Sequence, residues 1–190
     1  MVRRERVHDA EALRLHLLVL RCQAGDEQAF AALYRAFNPR TLRYLRGLLD
    51  TRSAEDVHQE VWLTVYQKIA TLANPRGFRT WLYQVTRHRA IDFLRREKRQ
   101  SDLLQTVEED GVDEAVHPTD DPLPSTVSPH VQAALDRLSP AHRDVLILQF
   151  WEEMSYAEIA LVVGCSVGTV RSRLHHAKRN IRDVLTTSPG

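Results

Sequence analysis

The sequence predicts an all-α protein made of two small helical domains joined by a flexible acidic linker. Apolar residues recur at three- and four-residue steps through most of the chain, and no Asn-Gly or Asp-Gly turn separates alternating apolar runs. Residues 101–129 instead hold four of the eight prolines among acidic and small polar residues, a composition unsuited to a packed core. We therefore predict domains at residues 1–100 and 130–190, with the linker at 101–129.

The net charge of +1 conceals two basic segments and one acidic segment. Residues 76–99 carry eight Lys or Arg against two acidic residues, and residues 159–182 carry five against none. Residues 101–130 reverse the balance, with eight Asp or Glu and no Lys or Arg. The sequence thus predicts two basic modules, suited to nucleic acid, and an acidic tether between them.

Three helices are predicted before residue 50. The first precedes Gly25 and is marked by leucines at helical spacing, Leu13, Leu17 and Leu20. The second has an apolar stripe that ends at Asn38-Pro39 and consists of Phe30, Leu33, Tyr34 and Phe37. The third contains Leu42, Leu45 and Leu49.

Two further helices complete the predicted first domain. Ser53 is a suitable N-cap for a fourth helix, which Asn74-Pro75 would stop and whose apolar side is Val57, Val61, Val65 and Ile69. A fifth helix is predicted from Phe78 to about Lys98, and it becomes densely basic at residues 95–99. Its apolar side is Leu82, Val85 and Leu94.

The second domain is predicted to begin with a helix near His130. Ser139-Pro140 then combines an N-cap with a first-turn proline, which predicts a helix through Val145, Leu146 and Phe150. Ser155 and Glu158 have the spacing of a capping box, so another helix should start there. Gly164 and Ser166 predict a tight turn and a new N-cap, which together give a helix-turn-helix.

The second helix of this motif has the division of faces that DNA recognition requires. Its predicted apolar stripe is Val167, Val170, Leu174, Ala177, Ile181 and Leu185. No acidic residue occurs between Glu158 and Asp183, and short or cationic side chains lie away from the stripe. The alternative is a basic helix that only faces solvent. The candidate DNA contacts are Ser166, Gly168, Thr169, Arg171, Ser172, Arg173, His176, Lys178 and Arg179.

The helix that starts at Phe78 mixes aromatic and cationic side chains. This combination is typical of single-stranded DNA binding, in which rings stack on bases and cations follow the phosphates. The alternative is that the aromatic residues build the core of the domain. The residues concerned are Phe78, Trp81, Tyr83 and Phe93 with Arg79, Arg87, Arg89, Arg95 and Arg96.

The fourth helix has an acidic face. Asp56 and Glu60 are four residues apart and project from one side, which suits a cationic partner but is equally typical of a solvated face. Glu55 with His58, and Glu5 with His8, have the E-x-x-H spacing of di-iron helix bundles. We regard that as a remote alternative because two further inward glutamates would be needed.

Other classes of function find little support in the sequence. Cys22 and Cys165 are far apart and form no C-x-x-C pattern, so neither a zinc site nor a disulfide framework is predicted. The apolar run at residues 13–20 is too short to cross a bilayer, and there is no phosphate loop or nucleophile motif. We expect a soluble cytoplasmic protein that is not an enzyme and uses no cofactor or metal.

Three segments, in this order, together resemble the extracytoplasmic-function sigma factors, the smallest promoter-specificity subunits of bacterial RNA polymerase. AEDVHQEVWLTVYQKI, residues 54–69, is similar to the helix of that family that binds core polymerase. FRTWLYQVTRHRAIDFLRREKR, residues 78–99, resembles its −10-element helix. LSPAHRDVLILQFWEEMSYAEIALVVGCSVGTVRSRLHHAKRNIRDVL, residues 138–185, is similar to the domain that recognises the −35 element.

The resemblance implies a partner for each segment. The core enzyme would be contacted at the coiled coil of its largest subunit and at its flap. Members of the family are often held inactive by an anti-sigma factor, so the resemblance adds such a factor to the expected partners. For the coiled-coil contact, the resemblance implies Asp56, Gln59, Glu60, Trp62 and Tyr66. For the single-stranded −10 element it implies Asn74 and Arg76 beside a flipped base, with Arg79, Trp81, Tyr83, Arg87, His88, Arg95 and Arg96.

Two further points follow from the resemblance. The family commonly has Asn where His88 stands, so any contact made by that amide would be replaced here by an imidazole that can take a proton. The acidic linker would occupy a positively charged groove of the polymerase, although a plain flexible spacer is the alternative. A free-standing helix-turn-helix regulator that binds duplex DNA remains the main alternative function.

Overall fold

All regular secondary structure in the computed structural model is helical within the residues that it describes, which are 2–105, 135 and 137–187. Two 3-10 turns, Ile69–Thr71 and Pro75–Gly77, separate the third α-helix from the fourth. The all-α prediction is confirmed. The α-helices in this part of the chain are α1 Val2–Gln23, α2 Glu27–Arg46, α3 Thr51–Lys68, α4 Phe78–Gln105, α5 Pro140–Phe150, α6 Tyr156–Val163 and α7 Val167–Thr187.

Part of the predicted organisation falls outside the described residues. The linker prediction at 101–129 overlaps α4, which continues to Gln105 rather than ending near Lys98, and its remainder at 106–129 is not described. The helix predicted to begin near His130 lies in the same undescribed stretch.

Helix α2 runs through Pro39, where the sequence predicted a break between two helices. A proline inside a helix removes one hydrogen bond and costs about 3 kcal/mol. Buried residues on both sides of Pro39 share one face of α2, so the packing of that continuous face offsets the cost. These residues are Leu33, Phe37, Thr41, Tyr44 and Leu45.

Helix α3 starts earlier than predicted. Its N-cap is Asp50, whose carboxylate accepts a hydrogen bond from the backbone N–H of Ser53 at 3.0 Å. Ser53, the predicted cap, therefore lies in the first turn. Asp is as good a cap as Ser, and here it satisfies an amide that would otherwise lack an acceptor.

Helix α1 exposes the leucines that were predicted to mark its apolar side. Leu13, Leu17 and Leu20 are 57%, 51% and 41% exposed, whereas Val19 and Cys22 are buried against α2. Residues 13–22 carry apolar side chains on every side of α1, so the periodicity of the sequence does not show which side of the helix is buried. Burial raises the pKa of the Cys22 thiol.

The first four helices enclose one core. The valines of α3 face inward as predicted and pack with Leu33 of α2 and Phe78 and Leu82 of α4. Edge-to-face aromatic contacts extend this core: the ring centroids of Phe37 and Phe78 are 5.6 Å apart.

A second core joins helices α5–α7 to the first half of the chain. Tyr44 of α2 and Tyr83 of α4 are fully buried in the same apolar cluster as Leu148, Met154 and Ile159. Helix α4 packs on α6, where Gln84 Nε2 donates to the backbone carbonyl of Leu161 at 2.9 Å. The two halves therefore form one packed body in this structure.

Glycine at position 47 allows the halves to approach closely. A methyl group on Gly47 would overlap Cδ1 of Ile147 from α5. The guanidinium of Arg143, also on α5, approaches the carbonyl oxygen of Gly47 at 3.5 Å and donates to the carbonyl of Leu135 at 3.0 Å. The end of α2 is thus a direct contact surface for α5.

Two buried carboxylates cross the boundary between the halves. Asp144 of α5 accepts from the Tyr44 hydroxyl at 2.7 Å and from Nε of Arg87 at 2.6 Å. Glu152 is fully buried and accepts from Nε of Arg40 at 2.9 Å, from Nη2 of Arg43 at 3.1 Å and from the Tyr83 hydroxyl. We call these seven side chains the carboxylate clasp: Arg40, Arg43, Tyr44, Tyr83, Arg87, Asp144 and Glu152.

The two phenols of the carboxylate clasp remain protonated. Burial, with a neighbouring carboxylate as the next cause, raises the pKa of Tyr44 above its ordinary value of 10.0. The same causes, with Glu152 as the carboxylate, raise the pKa of Tyr83. Both hydroxyls thus donate hydrogen bonds throughout the physiological pH range.

His58 is a buried histidine in the first core. Nε1 of Trp62 donates to its Nε2 at 2.9 Å, and the Thr41 hydroxyl lies 3.0 Å from the same nitrogen. An imidazole nitrogen that accepts a hydrogen bond carries no proton, so this ring is neutral. Burial lowers the pKa of His58 below its ordinary value of 6.5.

We predict that His58 makes the protein less stable in mild acid. Its pKa is lower in the folded chain than in the unfolded chain, so its contribution is complete above about pH 6.5 and declines as pH falls through the folded pKa. His58→Gln keeps an acceptor for Trp62 and removes the titration. The urea midpoint of this variant should therefore fall less steeply than that of the wild type between about pH 7 and pH 5.

His175→Gln is the matched control, because His175 is exposed. Its urea midpoint should keep the wild-type dependence on pH. An unchanged pH dependence in the His58 variant would contradict the prediction.

Candidate nucleic-acid interface

The helix-turn-helix forms as the sequence predicted. Ser155 Oγ accepts from the backbone N–H of Glu158 at 3.2 Å, and the Glu158 carboxylate accepts from the backbone N–H of Ser155 at 2.8 Å, so the capping box is complete. Gly164 ends α6 in the left-handed conformation, with φ of 69°. Ser166 Oγ then accepts from the N–H of Thr169 at 3.0 Å and caps α7.

Helix α7 is anchored by its apolar side and exposes its cationic side. Val170, Leu174 and Ala177 are buried, and Ile181 packs in part against the same half. Val167, which was predicted to belong to the stripe, is 41% exposed because it stands at the first turn, before the helix reaches its neighbours. The side chain of Leu185 lies outside the described residues.

Most of the candidate duplex contacts are accessible on one surface. Thr169 and Arg173 are half-buried at its edge. The Ser166 hydroxyl is already used by the helix cap and lies 2.9 Å from the Thr169 hydroxyl. The exposed members are Ser166, Gly168, Arg171, Ser172, His176, Lys178 and Arg179.

Phe150 belongs to this surface, although the sequence placed it in a helix without a role. It is 54% exposed, and the ammonium of Lys178 lies 5.2 Å from its ring centroid. A cation over an aromatic ring is stabilised by the ring quadrupole, so Phe150 holds Lys178 against α5.

The candidate contacts to single-stranded DNA on α4 and its preceding turn fall into two groups. Five are exposed or open to solvent at the surface: Asn74, Arg76, His88, Arg95 and Arg96. His88 Nε2 lies 3.6 Å from the Asp92 carboxylate, one turn further along α4. The second group, Arg79, Trp81, Tyr83 and Arg87, is partly or fully covered.

The covered group differs from the prediction that it contacts DNA. Tyr83 is fully buried and donates to Glu152, and Arg87 pairs with Asp144, so in this arrangement neither faces solvent as a DNA contact would. Trp81 is half-buried against the first core, with its ring centroid 5.9 Å from that of Phe78. The sequence could not indicate this cover because the acidic residues responsible lie 57 and 69 positions away.

The exposed face of α3 also departs in part from expectation. Asp56 and Gln59 are exposed, and Tyr66 is 62% exposed. Leu63, which sequence reasoning missed, is 62% exposed on the same face and follows the same helical spacing. We call Asp56, Gln59, Leu63 and Tyr66 the α3 face.

Trp62 and Glu60 are not free members of this face. Trp62 is 6% exposed because its ring packs against Tyr34, at 4.8 Å between centroids, and its N–H is used by His58. The Glu60 carboxylate turns toward α4, where it lies 3.7 Å from Arg89 and 3.9 Å from Arg96.

The remaining features of the described residues bear on the alternative functions. Glu55 pairs with Arg46 at 2.9 Å and His58 is enclosed by Trp62 and Thr41, so these two groups are already engaged. The described part of the chain brings together no group of three or more His, Cys, Asp or Glu that could hold a metal ion. Among the same residues, no helix has the length and apolar character needed to cross a membrane.

Family models match both halves of the chain. Sigma-70 region 2 matches residues 33–100, and Sigma-70, region 4, matches residues 130–181. The first range begins within α2, contains α3 and ends within α4, and the second contains α5, α6 and most of α7.

Curated relatives match along nearly the whole chain. The RNA polymerase sigma-H factor of Pseudomonas aeruginosa is 32% identical over 177 residues, which cover 88% of this chain and 92% of the relative. The ECF RNA polymerase sigma factor SigE of Mycolicibacterium smegmatis is 35% identical over 171 residues, covering 85% of this chain and 64% of that longer relative.

A solved structure supports the fold. The sigma factor RpoE, in complex with the anti-sigma factor NepR from Bartonella quintana, superposes with a TM-score of 0.64 at 21% identity. The match covers 84% of this chain and 98% of that one.

We predict that Gly164 is required for its backbone conformation and not for space. Nothing lies within 4 Å of a Cβ at Gly164, so the cost of Gly164→Ala should come from the left-handed backbone alone, about 1 kcal/mol of unfolding free energy. Gly168→Ala is the matched control, because Gly168 is helical and has room for a methyl group. It should stabilise by about 0.5–1 kcal/mol. Urea unfolding of the full chain measures both, and equal effects would contradict the prediction.

Proposed function

Since the chain belongs to the extracytoplasmic-function group of the sigma-70 family, we propose that three of its described surfaces bind core polymerase, the −10 element and the −35 duplex, respectively. As a member of this family it is a sigma factor, which directs RNA polymerase to promoters and is not an enzyme. The main support for the division is the exposed cationic surface of α7 on a complete helix-turn-helix.

The α3 face is our candidate for the contact with core polymerase. It combines an acidic residue, an amide and two apolar side chains that are each 62% exposed, Leu63 and Tyr66. Exposed apolar groups beside polar ones are typical of protein interfaces. We propose that Asp56, Gln59 and Tyr66 bind the coiled coil of the largest subunit, and that Glu60 and Trp62 support the face from behind.

The turn before α4 and the exposed side of α4 are our candidate for the −10 element. Asn74 and Arg76 stand at the 3-10 turn that leads into α4, close in sequence to the half-buried ring of Trp81, whereas Phe78 is buried in the first core. Cations that follow phosphates next to rings that stack on bases suit a single strand. His88, Arg95 and Arg96 extend this cationic path along the helix.

The exposed surface of α7 is our candidate for the −35 duplex. Arg171 is exposed near the amino end of α7, which is the part of a recognition helix that contacts base edges. Ser172, His176 and Arg179 lie further along the same side. We assign a phosphate contact to Arg173, which is half-buried at the edge of this surface.

Attachment to one polymerase lets two weak DNA contacts act together. Each half need not bind its DNA element tightly, because the second contact forms at a high effective concentration once the first has formed. We propose that the protein works in the cytoplasm. An anti-sigma partner is proposed by analogy with the RpoE and NepR complex.

Promoter-dependent run-off transcription tests this proposal. The full chain added to bacterial core polymerase should start discrete transcripts from a subset of promoters in a genomic template pool. Absence of both core binding and discrete transcripts, with specific duplex binding by the chain alone, would overturn it in favour of a free-standing regulator.

The α3 face supplies a variant for the same assay. Tyr66→Ala should reduce transcription at limiting chain concentration and recover when the chain is in excess, since its ring is exposed and its loss weakens docking. Leu161→Ala is the matched control, because Leu161 is also 62% exposed but lies on α6.

We predict that Arg171 makes a base contact and Arg173 a phosphate contact. Arg171→Ala should weaken binding to the −35 duplex by about 1–3 kcal/mol and reduce discrimination between sequences. Arg173→Ala should weaken binding to all duplexes alike and reduce the slope of log affinity against log salt by about one. Binding isotherms at several salt concentrations with polymerase holoenzyme separate the two. Identical behaviour of the two variants would contradict the assignment.

A further inference from the structure

The turn that leads into α4 is bonded to α1 by one side chain. Nε2 of Gln23, the last residue of α1, donates to the carbonyl oxygens of Ile69 at 3.1 Å and of Leu72 at 2.8 Å. We call residues 69–77, which contain both 3-10 turns, the entry turn. Resting on the proposed function, we infer that Gln23 is a positioning residue for the −10 element, because its amide holds the entry turn where Asn74 and Arg76 meet the opened strand.

Both N–H bonds of one amide group are used in this contact. A primary amide has two N–H bonds that point in fixed directions, so it fits two carbonyl oxygens in only one arrangement. The backbone N–H of Leu72 also donates to the carbonyl of Ile69, at 3.2 Å, so the two acceptors stand at opposite ends of one 3-10 turn. Gln23 therefore fixes the orientation of that turn as well as its distance from α1.

The hydrogen bonds inside the entry turn are local. Thr71 Oγ1 donates to the carbonyl of Lys68, and the N–H of Gly77 donates to the carbonyl of Asn74, each at 3.0 Å. Such bonds give the turn its shape, but they do not fix its position relative to the rest of the domain. Among the residues that the structure describes, Gln23 is the one side chain that hydrogen-bonds the entry turn to a distant helix, across 46 and 49 positions.

The apolar contacts of the entry turn lie at its ends. Ile69 is buried, Leu72 packs in part against the first core, and the buried Phe78 follows the turn. Asn74 and Arg76, between these contacts, are exposed. An exposed segment with few buried contacts opens easily unless its ends are held. The two hydrogen bonds at Ile69 and Leu72 thus determine where the two candidate DNA contacts lie.

Gln23 is itself supported on both sides. Its neighbour Cys22 is buried in the first core, and Gly25, with φ of 84°, turns the chain away from α1 two residues later. Asp26 then caps α2 by accepting from the N–H of Ala29 at 3.0 Å. The end of α1 is therefore fixed to α2, and it is a firm support for the entry turn.

Loss of this anchor should affect one step of initiation. A single strand binds only those molecules whose entry turn has the right position, and the apparent affinity falls with that fraction. Core binding by the α3 face and duplex binding by α7 use other surfaces, so both should be unchanged. If the entry turn is correctly placed in one molecule in ten without the Gln23 amide, promoter opening should fall about tenfold.

Two variants separate hydrogen bonding from shape. Gln23→Glu keeps the shape of the side chain, but its carboxylate has no N–H and faces two carbonyl oxygens. Gln23→Met keeps the length of the side chain and removes its polar atoms. A role in hydrogen bonding predicts that Gln23→Glu is the more impaired variant, and a role in packing alone predicts the reverse. Gln28→Glu and Gln28→Met are the matched controls, because Gln28 is exposed on the neighbouring α2.

Hydrogen exchange of the free full chain tests the geometry. Mass spectrometry of peptides that cover the entry turn should show faster deuterium uptake in both Gln23 variants than in the wild type. Uptake in both Gln28 controls, and uptake in peptides from α7 in every chain, should match the wild type. Unchanged uptake in the entry turn of both Gln23 variants would overturn the inference.

Promoter opening by the holoenzyme tests the function. The template is a promoter from the run-off assay, with 2-aminopurine placed at successive positions of the −10 element, and its fluorescence rises when the base leaves the stack. The dependence of the opening rate on holoenzyme concentration separates closed-complex binding from opening. Opening should slow about tenfold with Gln23→Met and by more with Gln23→Glu, while closed-complex affinity stays at the wild-type value.

Three results would contradict the assignment of Gln23: opening at the wild-type rate, equal losses in closed-complex binding and in opening, or slower opening with Gln23→Met than with Gln23→Glu. Circular dichroism identifies a variant that fails to fold, and the other Gln23 variant then decides by its exchange and its opening rate. A wild-type holoenzyme that transcribes without any 2-aminopurine signal would refute the proposed −10 surface on which the inference rests. A normal wild-type signal with unaffected Gln23 variants would refute the inference alone.

Discussion

The burial of Glu152 is the constraint on which the arrangement of the two halves depends. A carboxylate withdrawn from water loses several kcal/mol of hydration unless charged and hydrogen-bonding partners replace it. Here the partners are Arg40, Arg43 and Tyr83, and all three belong to the other half of the chain. Apolar contacts alone would tolerate small shifts of one half relative to the other. A buried carboxylate that accepts from three donors is satisfied in only one relative position of the two halves. The clasp therefore fixes how α5 meets α2 and α4.

The helix-turn-helix could be predicted almost completely because its signals are local. The bonds between Ser155 and Glu158, the left-handed Gly164 and the Ser166 cap each depend on residues within four positions. Elements that depend on tertiary packing were predicted less well. Helix α2 continues through Pro39 because its buried face extends on both sides of the proline. Which side of α1 is buried depends on where α1 packs against α2.

The candidate site shows the same division between local and distant information. The spacing of Asp56 and Glu60 predicted an acidic side of α3, and Asp56 is exposed there. The sequence could not tell that Glu60 would turn toward Arg89 or that the Trp62 ring would be enclosed by Tyr34 and His58. It likewise identified Tyr83 and Arg87 as an aromatic and a cation on one helix. Their partners are 69 and 57 residues away, and a single acidic residue at such a distance gives no pattern in the sequence.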